Sequence, residues 1–488
     1  MNPVSRRSFI KSSAATVASL GLVPYLTGCK TSSVHSRVIG ANDDIRLAVI
    51  GFNGQGKSHI ETIQKVKGTR IVALCDVDKD ILAAGAKQFQ DRNQPVATYS
   101  DVRRLLEAQD IDAISTATPN HWHSLLTIWA CQAGKDVYVE KPVSHNVWEG
   151  RQMVEAARKY KRIVQTGTQC RSNPGLREAI QFLRDGNLGP VKVARGLCYK
   201  RRASIGKTEG PQPVPPNIDY SLWLGPAPMT PLRRKRLHYD WHWVWPTGSG
   251  DLGNQGIHQM DMARWALGIQ ELSPRVFSVG GRLGYVDDGE TPNTQVIYHD
   301  YGKALLIFEV RGLPASSAEN KMDNYRGASI GVVIDCQNGY LVIASYDKAT
   351  AFDHSGGVIR KFEGSANHHE NFVKAMRSRK PTDLNADILE GHLSSALCHT
   401  GNISYRLGRQ ASPEAIQEAI QGDSEALEAC ERAYEHLQVN GVDLSQTPAT
   451  LGAFLRMNPK TERFLDNESA NKLLTREYRE PFVVPQKV

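Results

Sequence analysis

Ile45-Arg46-Leu47-Ala48-Val49-Ile50-Gly51-Phe52-Asn53-Gly54-Gln55-Gly56 is a short apolar run that stops at a glycine-rich bend. A run this brief and this apolar reads as a strand buried on both faces. The bend then turns the chain into a helix over 56–67. Reading outward, a second strand over 70–76 ends in Asp76, and helices follow over 79–91 and 101–109. Strands over 113–118 and 137–140 flank a helix over 123–133, and a strand over 163–166 closes the set. Strands alternating with helices of about ten residues predict a parallel, doubly wound α/β sheet over 45–170.

The bend has the chemistry of a pyrophosphate site. Glycine there lets the chain turn tightly and brings backbone N–H groups to an anion at a helix N-terminus. Against the G-x-G-x-x-G pattern, Gly51 and Gly56 match, and Asn53 stands where the middle glycine belongs. Asn tolerates left-handed backbone well, and Gly54 adds slack beside it. Asp76, at the end of the next strand, is placed to bond ribose hydroxyls and to repel a 2′-phosphate, which favours NAD over NADP.

Beyond residue 170 the pattern becomes β-rich, with strands over 191–198, 275–279, 294–299, 304–310, 329–336 and 340–343 and Gly- and Pro-punctuated loops. It predicts a second α/β domain over 171–411 with a mainly antiparallel, open-faced sheet and helices over 369–378 and 387–407. The remainder, 412–488, reads as a polar helical extension.

The opening residues carry an address. Ser5-Arg6-Arg7-Ser8-Phe9-Ile10-Lys11 fits a twin-arginine export signal, and a mildly apolar stretch over 14–26 follows, too short to span a membrane. It ends in Leu26-Thr27-Gly28-Cys29, which resembles a lipobox. Residues 1–29 therefore read as a signal, Cys29 as the lipidated new N-terminus anchored to a membrane, and 30–44 as a tether. The expected location is the periplasm. The formal charge of +8 is inflated by Arg6, Arg7 and Lys11 in this leader, and no nucleic-acid partner is expected. Arg233-Arg234-Lys235-Arg236 reads as a solvated loop. The cysteines after Cys29 are odd in number and scattered, and they read as buried small hydrophobes. No His/Cys group has metal-ligand spacing, so no metal is expected.

Val139-Glu140-Lys141-Pro142 follows a buried strand directly, and a lysine there is costly unless it is paired or used. With the bend, it resembles the Glu-Lys-Pro signature of the Gfo/Idh/MocA oxidoreductases. Thr118-Pro119-Asn120-His121 and Gly256-Ile257-His258-Gln259-Met260-Asp261 extend the resemblance, in the family's order, from about residue 45 to 407. The resemblance implies a Rossmann domain followed by an open-faced sheet domain. It implies cofactor contacts from Gly51, Asn53, Gly54, Gln55, Gly56, Asp76, Thr118, Pro119, Asn120, His123, Glu140 and Lys141. It also implies that Lys141 stabilises a substrate alkoxide and that His258 takes the hydroxyl proton. Asn254 departs from the pattern, because the family usually carries Asp there. Proton transfer then rests on His258 alone or borrows Asp251, Asp261 or Asp240.

His238-Tyr239-Asp240-Trp241-His242-Trp243-Val244-Trp245 mixes aromatic faces with His and Asp. It either fills a core or suits a sugar, which has C–H faces to stack and hydroxyls to bond. Trp241, His242, Asn254 and His258 are the candidate substrate contacts here; Tyr199 and Lys200 either line the same cleft or lie in solvent. The expected activity is NAD-dependent hydride transfer at a hydroxyl of a sugar or sugar derivative, with the cofactor held tightly because the periplasm is taken to lack an NAD pool. Redox-neutral glycoside hydrolysis through oxidation, elimination, hydration and reduction is the alternative, as in the NAD-dependent α-N-acetylgalactosaminidases of the same family. A non-catalytic sugar-binding lipoprotein is a third reading. By analogy, a homo-oligomer is possible.

Overall fold

The computed structural model describes residues 44–488. The twin-arginine signal, the lipobox with Cys29 and nearly all of the tether lie outside the described residues.

The first sheet has six strands: β1 (Ile45–Ile50), β2 (Thr69–Cys75), β3 (Ala97–Tyr99), β4 (Ala113–Thr116), β5 (Asp136–Val139) and β6 (Val164–Thr166). All pair in parallel, in the order β3-β2-β1-β4-β5-β6. The deciding strand β1 shows why the sequence is apolar throughout. Ile45, Leu47 and Val49 point into one core cluster, and Ala48 and Ile50 into another on the opposite face. Polar residues placed just before the helices start them: Asp78, Asp101 and Asn146 each accept a first-turn backbone N–H. The short edge strand β3 has no apolar run and was not expected from the sequence.

The second sheet is built on β7 (Val191–Tyr199), β8 (Arg275–Gly281), β9 (Thr294–Asp300), β10 (Leu305–Arg311), β11 (Ile330–Cys336), β12 (Gly339–Ile343), β13 (Lys348–Phe352) and β14 (Val358–Glu363). It is antiparallel except where β10 runs parallel to β7. The Ile388–Arg406 helix is buried along most of its length and packs on both the Val147–Lys159 helix and β8. All seven described cysteines are buried and unpaired. No described helix is long and apolar enough to cross a membrane.

The tail differs from a polar helical appendage. Its helices Pro413–Ile420 and Ser424–Val439 cover the outer face of the second sheet through Ile416, Ile420, Ala426 and Ala429. Strands Ala449–Leu451 and Leu455–Asn458 then pair with β8. The last residues return to the first domain, where Phe482 and Val484 join its core and Phe482 meets Trp122 edge-on at 5.5 Å. The apolar positions here are spaced too widely to read as a pattern, so the sequence shows only the polar residues between them.

Phe482 is 3% exposed, and burying a phenylalanine this fully makes its truncation costly. Phe482→Ala should destabilise the protein by about 3 kcal/mol in denaturant unfolding. A variant as stable as the parent would show that the tail does not hold the first domain.

Candidate active site

The bend after β1 leaves no room for side chains where it packs. Gly51 has φ +72°, and a Cβ there would lie 2.9 Å from the Thr118 backbone nitrogen. At Gly56 a Cβ would fall 2.2 Å from the Gly51 carbonyl oxygen. Gly54 faces the other way, with no atom within 4 Å of an added Cβ. It also caps the Gln55–Ile63 helix without a side-chain acceptor, so the positive end of that helix is offered to the open side.

That open side is a cleft of about 370 Å³. The strand order places it where the winding reverses between β1 and β4, which in an open parallel sheet leaves a crevice at the carboxyl ends. Asp76 lines it beyond β2, Ser100 and Asp101 beyond β3, and Glu140 and Lys141 beyond β5. The β2 and β5 ends are three strand spacings apart, about 14 Å, so the cleft is long enough to take one extended molecule across both. Gly51, Asn53, Gly54, Gln55, Thr118, Pro119, Asn120 and His123 fill the interval, and Gly56 packs beneath.

Asp76 accepts the backbone N–H groups of Phe52 and Asp78, both at 3.1 Å. Burial outweighs these bonds and raises its pKa. His123 joins the two strand-end motifs: its ring nitrogens lie 2.6 Å from the Pro142 carbonyl oxygen and 2.7 Å from that of Thr118.

Among the described residues, Lys141 is the one Lys or Arg lining the cleft. Its ammonium donates to the Asn254 carbonyl oxygen at 3.1 Å and lies 4.0 Å from a Glu140 carboxylate oxygen. Burial alone would raise the Glu140 carboxyl, but the hydrogen bond from His59 and the charge of Lys141 bring it down to about 2. His258 begins one turn beyond Asn254. Burial, then the nearby Lys141 charge, lowers its imidazole to about 3, and its buried Nδ1 has no partner. At neutral pH it is therefore an uncharged base.

The candidate substrate residues separate. Trp241, His242 and Asn254 line the cleft, with the Trp241 and His242 rings stacked at 3.6 Å. His258 sits behind Asn254, and Lys200 beside it donates to Gln255 at 2.8 Å. Tyr199 does not reach the cleft. Side chains alternate along β7, and its hydroxyl points to the opposite face, where it bonds Glu309 at 2.5 Å among Leu197, Ala328 and Val333. The carboxylates considered as alternative proton acceptors are also engaged elsewhere. Asp251 and Asp261 are each held bidentately, by Arg202 and Arg171, and Asp240 accepts both Arg236 side-chain N–H groups on one oxygen. The basic run is not wholly solvated either, since Arg234 is buried over the Trp223 ring at 4.8 Å.

Asp78, Ser100, Asp101, Trp122 and Trp223 belong to the site and were missed in the sequence, and His238, part of the aromatic run, joins it as well. Trp122, Trp223 and His238 line the cleft, and His238 bonds Asp78 at 2.9 Å while Asn217 bonds it at 2.7 Å. These contacts strap residues 217–242 across the Asp76 end. A second aspartate two places after Asp76 was the available signal.

Comparison with known proteins agrees with this architecture. A family model described as an oxidoreductase NAD-binding Rossmann fold matches residues 45–168, and the same family's C-terminal α/β domain matches 183–309. Together they take in just over half of the chain. Among curated relatives, a glycosyl hydrolase family 109 protein of Saccharopolyspora erythraea is 30% identical over 209 residues, 40% of this chain and 46% of that protein. The uncharacterized oxidoreductase YrbE of Bacillus subtilis is 27% identical over 226 residues, 46% of this chain and 54% of that protein. The chain thus spans about half the length of the curated relatives it matches. The WlbA dehydrogenase of Bordetella pertussis, solved in complex with NADH and UDP-GlcNAcA, shares the fold with a TM-score of 0.53 and 19% identity, over 72% of this chain and 94% of that one.

Gly51→Ala places a Cβ against Thr118 on a left-handed backbone that alone costs about 1 kcal/mol. It should weaken NAD binding by on the order of 10-fold or more in calorimetric titration. Unchanged affinity would remove the bend from the binding site.

Proposed function

The chain belongs to the Gfo/Idh/MocA oxidoreductase family, and from that premise we propose that it is an NAD-dependent enzyme acting on a hydroxyl of a sugar or sugar derivative. The observation that carries this reading is Lys141, an ammonium in the same cleft as the Gly51–Gly56 bend and the Trp241–His242 stack.

The residues fit a dinucleotide. Gly54 leaves open a cradle that a Cβ would enter, the helix behind it lacks a side-chain cap, and Asp76 stands at the far end for ribose hydroxyls. NAD, when bound, supplies the hydride acceptor and donor. The chain's own groups do the rest. Lys141 Nζ, already hydrogen-bonded on one side, turns a further N–H to the substrate oxygen and stabilises it as charge develops. His258, uncharged at neutral pH, accepts the hydroxyl proton in this reading; burial and the Lys141 charge disfavour the protonated ring, so it is an acceptor and not a store for the proton. Trp241 and His242 offer the flat face on which a sugar stacks, and the strap of 217–242 keeps water from the Asp76 end.

A second reading, redox-neutral glycoside hydrolysis, is favoured by the name of the Saccharopolyspora relative and by the ion-paired state of Asp240, Asp251 and Asp261. Ordinary glycosidases need a free pair of carboxylates. Oxidation beside a C–H bond makes that proton removable without one. Chromogenic glycosides in D2O separate the readings: a keto sugar without release of the aglycone supports oxidation alone, while release with deuterium entering the sugar supports elimination. Lys141→Met should abolish either outcome, with kcat down on the order of 100-fold or more; retained turnover would contradict both.

The leader supports export by the twin-arginine route and anchoring to a periplasmic membrane face through lipid on Cys29. Cys29→Ala should then move the protein from the membrane fraction to the soluble periplasmic fraction. A wild-type protein already soluble there would contradict the anchor.

A further inference from the structure

His59 has no part in the chemistry above, yet it is 1% exposed and sits directly behind the cleft. Its Nδ1 lies 2.9 Å from Ser115 Oγ and its Nε2 3.0 Å from Glu140 Oε1. The other carboxylate oxygen, Oε2, accepts the Lys141 backbone N–H at 3.1 Å and lies 4.0 Å from Nζ. Ser115, His59, Glu140 and Lys141 thus form a continuous polar chain from the buried face of β4 to the cleft. The ring cannot swing away: Tyr138 and His369 each meet it edge-on at 5.2 Å. Nor can the carboxylate, because the Gly167 backbone approaches so closely that a Cβ there would lie 2.7 Å from Oε1.

We propose that His59 is a positioning residue for the lysine: donating from Nε2 to Oε1, it keeps Glu140 ionised and turned so that Oε2 faces the Lys141 ammonium. This role rests on the oxidoreductase reading, in which that ammonium acts on the substrate oxygen. Ser115 fixes the tautomer by donating to Nδ1, which leaves the Nε2 proton for the carboxylate.

The surrounding charges show why a donor is needed. His123, His258, His368 and His369 also surround the carboxylate, but burial pushes each below its ordinary value, so they are uncharged at neutral pH. Burial pushes the Tyr138 phenol up, and it too is uncharged. Against the burial of the Glu140 carboxyl stand the His59 hydrogen bond first and the Lys141 charge second. Take away the His59 hydrogen bond and the buried carboxyl is pulled toward its protonated form. The sign follows: a carboxyl depressed in the wild type stays ionised on acidification, and one released from His59 gains a proton at higher pH.

The test is the pH titration of Glu140 in the full chain, free of substrate, by 13C NMR of the labelled carboxyl carbon assigned through Glu140→Gln. From about pH 8 to about pH 4, near the reference value of a free glutamate, the wild-type signal should stay flat. His59→Leu should bring an inflection into that window, and His59→Gln, whose amide N–H reaches the same oxygen, should remove it again. Where leucine costs the fold, His59→Asn, too short to reach Oε1, carries the same expectation. In turnover, the inflection should reappear as a new acid limb of kcat with KM little changed. An unmoved Glu140 titration in His59→Leu or His59→Asn overturns the proposal. Failure of the wild type to turn over any sugar would instead strike the oxidoreductase reading and leave the carboxylate result standing.

Discussion

An ammonium group at the end of a buried strand is expensive to keep, and Lys141 is only 19% exposed. It is tolerated because two acceptors meet it, the Glu140 carboxylate from its own strand end and the Asn254 carbonyl from the second domain. The second of these ties the lysine to the domain interface. It also sets Asn254 and, one turn on, His258 beside the carboxyl ends of the first sheet. The relation between the domains and the charge in the cleft are therefore the same contact seen twice.

The remaining structure keeps that contact in register. The strap of 217–242 is latched to the first domain by Asp78, and the tail reaches back from the second sheet to bury Phe482 and Val484 in the first. Arg476 on the same tail donates to the Pro246 carbonyl oxygen at 2.9 Å, just past the aromatic run. Each of these crossings fixes a segment that lines the cleft or directly follows one that does. Replacing Asp by Asn at 254 fits the same scheme, since it is the backbone oxygen of this residue that holds Lys141.

Much of this was legible in residue order. The apolar run 45–50, the bend after it and Asp76 announced the parallel sheet and its ligand end, because strand burial and tight turns leave local signatures. Lys141 was legible for a different reason: a cation at the end of a buried strand demands a partner or a use. What the sequence hid depends on alternation and on distance. Position in the chain leaves Tyr199 either at the cleft or in solvent, whereas a single step along β7 turns it to the opposite, buried face. The arginine partners of Asp240, Asp251 and Asp261 lie from 4 to 90 residues away in sequence, and only the first is close enough to guess. The tail's return to the first core carries no periodic signal at all.

The central claim is that a dinucleotide lies along the Gly51–Gly56 bend with its reactive end toward Lys141. Heat-denaturing the purified protein and weighing the small molecules in the supernatant by mass spectrometry addresses it most directly. The account predicts NAD or NADH in an amount comparable to the protein, retained through purification beneath the 217–242 strap. A supernatant free of nucleotide, together with no binding when NAD is added back to native protein, would contradict it.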